Sequence, residues 1–127
     1  MSKKILICDD EYDFYEMLDF FIKEYLDTYS IDVEFSSNGL DALLNTTKSK
    51  YDLIISDFKM PGMDGINFIN SLRTKDTSQN HETPVLMFSA FRPNLNELVG
   101  GRDSITFMTK PFNSEKLMQY IEYQFQS

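Results

Sequence analysis

The chain has 127 residues, 42% hydrophobic and 25% charged, which is the usage of one globular domain large enough to bury its own core. Acidic residues outnumber basic ones 20 to 12, for a formal net charge of −8, which disfavours non-specific attraction to nucleic acid or to an anionic membrane. The single cysteine, Cys8, excludes an internal disulfide framework and a cysteine-built zinc site, and any Ser-His-Asp or Cys-His mechanism would have to run through the single histidine, His81, in a polar stretch.

In chain order, short apolar runs alternate with helical patterns. Met1-Ser2-Lys3-Lys4 leads into an apolar stretch of only four residues, Ile5 to Cys8, and then acids; a buried strand is expected there, not a signal peptide. Phe14, Leu18, Phe21, Ile22 and Tyr25 recur at spacings of three and four, as on the inner face of an amphipathic helix. Ile31 to Phe35 alternates like a half-exposed outer strand. Asn38-Gly39 breaks the pattern before a short helix carrying Leu40, Leu43 and Leu44. Leu53-Ile54-Ile55 is a second fully apolar strand, Met60-Pro61-Gly62 a turn, and Ile66, Ile69 and Leu72 mark a third helix. Thr74 to Thr83 is polar and without periodicity. Val85 to Phe88 is a buried strand, Leu95 and Leu98 suggest one or two helical turns stopped by Gly100-Gly101, and Ile105 to Met108 is a fifth strand. Ser114 is the expected N-cap of a last helix that turns Leu117, Ile121 and Phe125 inward. No apolar run approaches the roughly 18 residues of a membrane span.

Strands that alternate with helices pair in parallel through right-handed crossovers. Fully apolar strands fit a sheet covered on both faces. The expected fold is therefore a doubly wound α/β domain: five parallel strands flanked by helices on both faces, in a single domain. Ligands of such sheets bind at the carboxyl ends of the strands. Asp9, Asp10 and Glu11 follow the first strand, Asp57 ends the third, Ser89-Ala90 follows the fourth, and Thr109-Lys110-Pro111 follows the fifth. Taken singly, an Asp after a strand is ordinarily a turn or cap residue, and a Lys before Pro is ordinarily solvated. Taken together at one rim, they point to a site.

That rim repels itself. Two like charges about 4 Å apart cost roughly 4 kcal/mol at an effective dielectric of 20. Hard carboxylate oxygens suit Mg²⁺, which takes one or two carboxylates directly, so Asp10 and Asp57 suffice, with Asp9 acting through water. Lys110 supplies a point charge and Ser89 a hydroxyl. The acidic loop after the first strand is the opposite of a glycine-rich phosphate cradle, which disfavours FMN, NAD and ATP as resident ligands. A carboxylate can itself be a nucleophile, and Asp57, central in the sheet and beside a turn, is the best placed.

These blocks resemble the receiver domain of two-component response regulators. The resemblance is carried by Ile5-Leu6-Ile7-Cys8-Asp9-Asp10-Glu11, Asn38-Gly39-Leu40-Asp41-Ala42-Leu43, Tyr51 through Gly65, Thr83 through Ala90, and Phe107-Met108-Thr109-Lys110-Pro111-Phe112. It implies a flavodoxin-like sheet and a phosphorylation-dependent switch. Asp57 would accept a phosphoryl group from a histidine kinase or phosphotransfer protein. Asp10, Asp57 and the backbone carbonyl of Lys59 would hold Mg²⁺, with Asp9 assisting. Lys110 and Ser89 would contact the phosphoryl group, Phe107 would be the switch aromatic, and the Lys110–Pro111 peptide would be cis. The expected protein is a stand-alone, cytoplasmic receiver without an output domain, and not an enzyme beyond self-phosphorylation and autodephosphorylation at Asp57. Its output would run through a downstream protein target, through homodimerisation or through onward phosphoryl transfer, with no nucleic acid or membrane partner. Tyr120 and Tyr123 are a candidate contact patch on the last helix.

Two rivals stand beside this reading. An aspartate-nucleophile phosphatase needs a second Asp two residues after the nucleophile, where this chain has Lys59. A pseudo-receiver that never cycles phosphate would not need the intact Asp9, Asp10, Asp57, Ser89 and Lys110 set. The sequence departs from the family pattern in a longer loop over 74–83 and in a fourth-helix region, Phe91 to Gly101, poor in helix formers.

Overall fold

The computed structural model describes residues 2–75, 78–90 and 104–126. Its elements are β1 (Ser2–Cys8), α1 (Tyr12–Tyr25), β2 (Ser30–Ser36), α2 (Gly39–Lys48), β3 (Leu53–Asp57), β4 (Lys59–Met60), β5 (Met63–Asp64), α3 (Gly65–Thr74), β6 (Val85–Phe88), β7 (Ile105–Met108) and α4 (Ser114–Gln126). The expected helical turns of the 91–101 region lie outside the described residues. Among the described residues no helix is long and apolar enough to cross a membrane.

Five strands form one parallel sheet in the order β2-β1-β3-β6-β7, with register pairs Ile7↔Ile55, Asp57↔Phe88 and Met87↔Phe107. The chain leaves β1 outward to β2 and then returns to lay β3 on the other side of β1. That reversal opens the crevice in which ligands of open α/β sheets sit.

Period-two alternation sorts the strand residues between two cores. Ile5, Ile7, Ile55, Leu86 and Phe88 pack with Leu18 and Ile22 of α1 and Leu117, Ile121 and Phe125 of α4. Leu6, Cys8, Ile54, Val85 and Met87 pack with Ala42 of α2 and Phe68, Ile69 and Leu72 of α3. Both faces of the central strands are thus withdrawn from water, as their unbroken apolar runs require.

The helical stripes hold with three corrections. On α1, Phe14, Leu18, Phe21 and Ile22 turn inward, but Tyr25 is exposed and stacks on Phe21 while the capping residue Leu26 takes the buried place. On α2 Gly39, Ala42 and Thr46 are buried and Leu43 packs half-buried against the core, whereas Leu40 and Leu44 face solvent. Close approach holds at the start of the helix, where a Cβ on Gly39 would come within 3.0 Å of the Met63 side chain. On α4, Asn113 and not Ser114 is the cap, its Oδ1 accepting from the Lys116 N–H at 3.0 Å. Asn38 and Asp64 cap α2 and α3 in the same way, each at 2.8 Å.

Within the polar stretch before β6, Ser78, Asn80 and Thr83 are buried. Asn80 is fully buried: its Oδ1 accepts from the Tyr51 N–H (2.8 Å) and the Thr83 hydroxyl (2.9 Å), and its Nδ2 donates to the carbonyls of Thr46 and Ser49 (both 2.9 Å). One amide side chain therefore ties α2, the entry to β3 and the entry to β6 together. Asn80→Ala leaves several of those groups buried without partners, at about 1–3 kcal/mol each when uncompensated. We expect a net loss of about 2–4 kcal/mol, read as a lowered urea midpoint with an unchanged slope.

Candidate functional site

Four strand ends converge on one rim. Asp9 and Asp10 leave the end of β1, Asp57 closes β3, Ser89 follows β6 and Lys110 follows β7. One carboxylate oxygen from each of Asp9, Asp10 and Asp57 lies within 4.8 Å of the other two. At that spacing each ionised pair costs on the order of 3–4 kcal/mol at an effective dielectric of 20. Asp9 is buried, Asp57 half-buried and Asp10 exposed. Asp9 is oriented by the Glu11 N–H, which donates to its Oδ1 at 2.9 Å.

The Lys110 ammonium faces this charge. Lys110 Nζ donates to Asp9 Oδ2 at 2.8 Å and stands 3.7 Å from both Asp57 Oδ2 and Glu11 Oε1. The Lys110–Pro111 peptide is cis, as the family resemblance implies. Asp57, Ser89 and Lys110 line a cavity of about 260 Å³ together with Glu11, Phe58, Lys59, Phe88 and Ala90. The floor beside Asp57 is fixed by backbone bonds, Phe58 N–H to the Phe88 carbonyl (2.8 Å) and Gly65 N–H to the Phe58 carbonyl (2.7 Å). Lys59 and Met60 then pair with Met63 and Asp64 in a two-residue hairpin. Its turn is Pro61-Gly62, with Gly62 at φ +78°, the left-handed position that the second central residue of a type II turn demands. A side chain at Gly65 would collide with Phe58 at 2.8 Å, so the hairpin can fold this close to the sheet only with glycine there.

The residues expected at the site, Asp9, Asp10, Asp57, Ser89 and Lys110, meet at this rim, with the Lys59 side chain at its edge. Phe107 stands apart from the cavity lining, half-buried on β7 against the α2–α3 core. His81 belongs to the segment entering β6, at the opposite end of that strand from Ser89, and its Nε2 meets the Lys75 carbonyl at 2.7 Å. Tyr120 and Tyr123 do not form one patch, because Tyr120 packs against the core and Tyr123 is exposed. Two contributors lacked a role in the sequence reading. Glu11 lines the cavity and flanks the lysine, and the ring of Phe14 lies 3.9 Å beneath the Lys110 ammonium. Their spacing of three residues at the start of a helix, which puts both on one side, was the available signal.

Comparison with known proteins agrees with this geometry. The family model of the response regulator receiver domain matches residues 5–122. The transcriptional regulatory protein SrrA of Staphylococcus aureus is 31% identical over 121 residues, covering 93% of this chain and 46% of SrrA. The chain thus spans about half the length of the curated relatives it matches. Among solved structures, the chemotaxis protein CheY4 of Vibrio cholerae superposes with a TM-score of 0.77 at 26% identity, over 97% of this chain and 98% of that one. The receiver domain of a signal transduction histidine kinase from Syntrophus aciditrophicus gives 0.79 at 25% identity, over 98% and 90%.

The charge imbalance shows in the titration of the site. Burial first, and the neighbouring Asp9 and Asp10 charges with it, push the Asp57 carboxyl above its ordinary range, against the pull of Lys110 and of the Lys59 N–H. Burial alone would lower Lys110, but Asp9, Asp57 and Glu11 together hold it above the usual lysine value. A carboxyl raised in the fold favours the native state where it is protonated. That contribution is present at pH below the ordinary aspartate range and is lost as pH rises through the raised value. Ionised Asp57 therefore weighs against the metal-free fold at neutral pH. We expect Asp57→Asn, without divalent cations, to melt a few degrees higher than the native chain at pH 7. In thermal scans the difference should shrink as pH falls toward 4.

Proposed function

This chain belongs to the response regulator receiver family, and from that premise we propose that Asp57 accepts a phosphoryl group from a phosphohistidine on a histidine kinase or phosphotransfer protein. The supporting observation is the placement of Asp57 at the end of the central strand, open to the cavity, with Lys110 at 3.7 Å and Ser89 on the same wall. A carboxylate oxygen of Asp57 forms the new P–O bond as the donor P–N bond breaks. The electron pair of that bond stays on the departing imidazole nitrogen, which takes up a proton.

The three clustered aspartates are a hard oxygen donor set of the kind Mg²⁺ selects, and their mutual repulsion favours a divalent cation. Asp10, Asp57 and the backbone carbonyl of Lys59 would hold the ion, with Asp9 assisting through water. When bound, Mg²⁺ neutralises charge on the transferring phosphoryl oxygens. Lys110 then donates to a phosphoryl oxygen, and the Ser89 hydroxyl hydrogen-bonds another.

Phosphorylation adds roughly −1.5 to −2 charges, and a Ser89 contact made only in that state biases the chain between two conformations. The Ser89 N–H is bonded to the Met108 carbonyl at 2.9 Å, one residue beyond Phe107. Movement at Ser89 is in this way tied to β7, where reorientation of Phe107 would change the surface offered to a downstream protein.

Intact-mass measurement tests the acceptor. Acetyl phosphate with Mg²⁺ should add one phosphoryl group, and Asp57→Asn should abolish the gain; full labelling of that variant at another residue would defeat the assignment. Lys110→Ala should reduce beryllofluoride-dependent partner capture by about tenfold or more, the scale of losing a charge-assisted contact. Its Mg²⁺ affinity should change far less, and equal loss of both would contradict the role given to the lysine.

A further inference from the structure

We propose that Phe14 is a positioning residue for phosphoryl transfer, its ring face holding the Lys110 ammonium at the pocket independently of the carboxylates. The inference rests on Asp57 being the acceptor. Lys110 Nζ lies 3.9 Å from the Phe14 ring centroid, well inside the roughly 6 Å reach of a cation–π contact. Its other partners are the carboxylates of Asp9, Glu11 and Asp57. Two of these three also belong to the cluster suited to Mg²⁺. A lysine held by carboxylates alone competes with the metal for them. A neutral ring does not coordinate Mg²⁺, so the metal cannot displace the ammonium from it. Of the three ammonium N–H donors one is engaged by Asp9 at 2.8 Å, and a ring face leaves another for a phosphoryl oxygen.

The ring is itself rigidly seated. It packs edge-on against Phe88 (5.3 Å, 84°) and Phe112 (5.8 Å, 85°), and those two rings meet each other at 5.9 Å. Phe88 immediately precedes Ser89, and Phe112 lies two residues past Lys110. Phe14 therefore braces both of the strand ends that carry the phosphoryl-contacting side chains. An aliphatic residue there fills the space but offers no negative face.

The test compares Phe14→Leu and Phe14→Tyr in the full chain. Tyr keeps the ring face, and Leu keeps only apolar bulk. In proton–carbon correlation spectra of the native chain, the Lys110 ε-methylene signal should be shifted upfield by the ring beneath it, the shift surviving in the Tyr variant and vanishing in the Leu variant. With acetyl phosphate and Mg²⁺, Leu should slow labelling of Asp57 by about tenfold and Tyr should restore it. Mg²⁺ affinity should stay within about twofold in both, because the ring is not a ligand. A Leu variant that labels at the native rate, or a Tyr variant as slow as Leu, overturns the proposal, and so does an unshifted Lys110 signal in the native chain. That last reading needs no variant, and Phe14→Met replaces Leu should Leu fail to fold. Native protein that takes up no phosphoryl group sinks the acceptor reading instead, whereas native labelling with indifferent Phe14 variants sinks only this one.

Discussion

Repulsion among carboxylates crowded at one edge of a sheet is the constraint around which this molecule is arranged. Asp9, Asp10 and Asp57 converge to within 4.8 Å, and Lys110 answers them from a position 101 residues after Asp9 in the chain. Such a cluster persists only where the backbone is not free to relax. The rigidity comes from five parallel strands covered on both sides, with Ile5, Ile7, Ile55 and Phe88 locked against one helical layer and Leu6, Cys8, Ile54 and Met87 against the other. Hydrophobic burial on the two faces offsets the electrostatic cost at the rim.

The same imbalance underlies the chemistry proposed for the site. A site whose acids were fully neutralised by side chains would have little use for a cation and no pull on a phosphoryl group. Here one ammonium faces Asp9, Glu11 and Asp57 at once and cannot satisfy them all. The Asp57 carboxyl is held above its ordinary range as a result of burial and of its acidic neighbours. On the function proposed above, a divalent ion would relieve this repulsion, and an incoming phosphoryl group would meet Lys110 and Ser89 already lining the cavity. Aromatic packing contributes a second form of preorganisation, since the rings of Phe14, Phe88 and Phe112 fill the space behind Lys110 without adding charge.

Much of this was legible in the residues. The apolar runs at Ile5–Cys8, Leu53–Ile55 and Val85–Phe88 announce buried strands, and each is followed within two residues by a polar residue of the site. The failures are as informative. The leucines that mark α2 do not say which of them faces inward: Leu43 packs against the core while Leu40 and Leu44 are exposed, and Gly39 sits against Met63, a contact no local pattern encodes. The polar stretch before β6 conceals Asn80, whose burial depends on carbonyls presented by Thr46 and Ser49 more than 30 residues away. Ser114 has the composition of a cap, but the chain path after Pro111 gives that position to Asn113.

Periodicity and turn chemistry describe neighbours along the chain, at separations of two, three or four residues. From these alone the sequence determined an alternating α/β architecture, the residues that end its strands, and the acidic character of the resulting rim. Strand order and register decide which strand ends become neighbours, and they arise only when distant segments pair. The tertiary structure alone therefore decided that Lys110 bonds Asp9, that Phe14 lies beneath that lysine, and that Tyr120 turns inward while Tyr123 faces out.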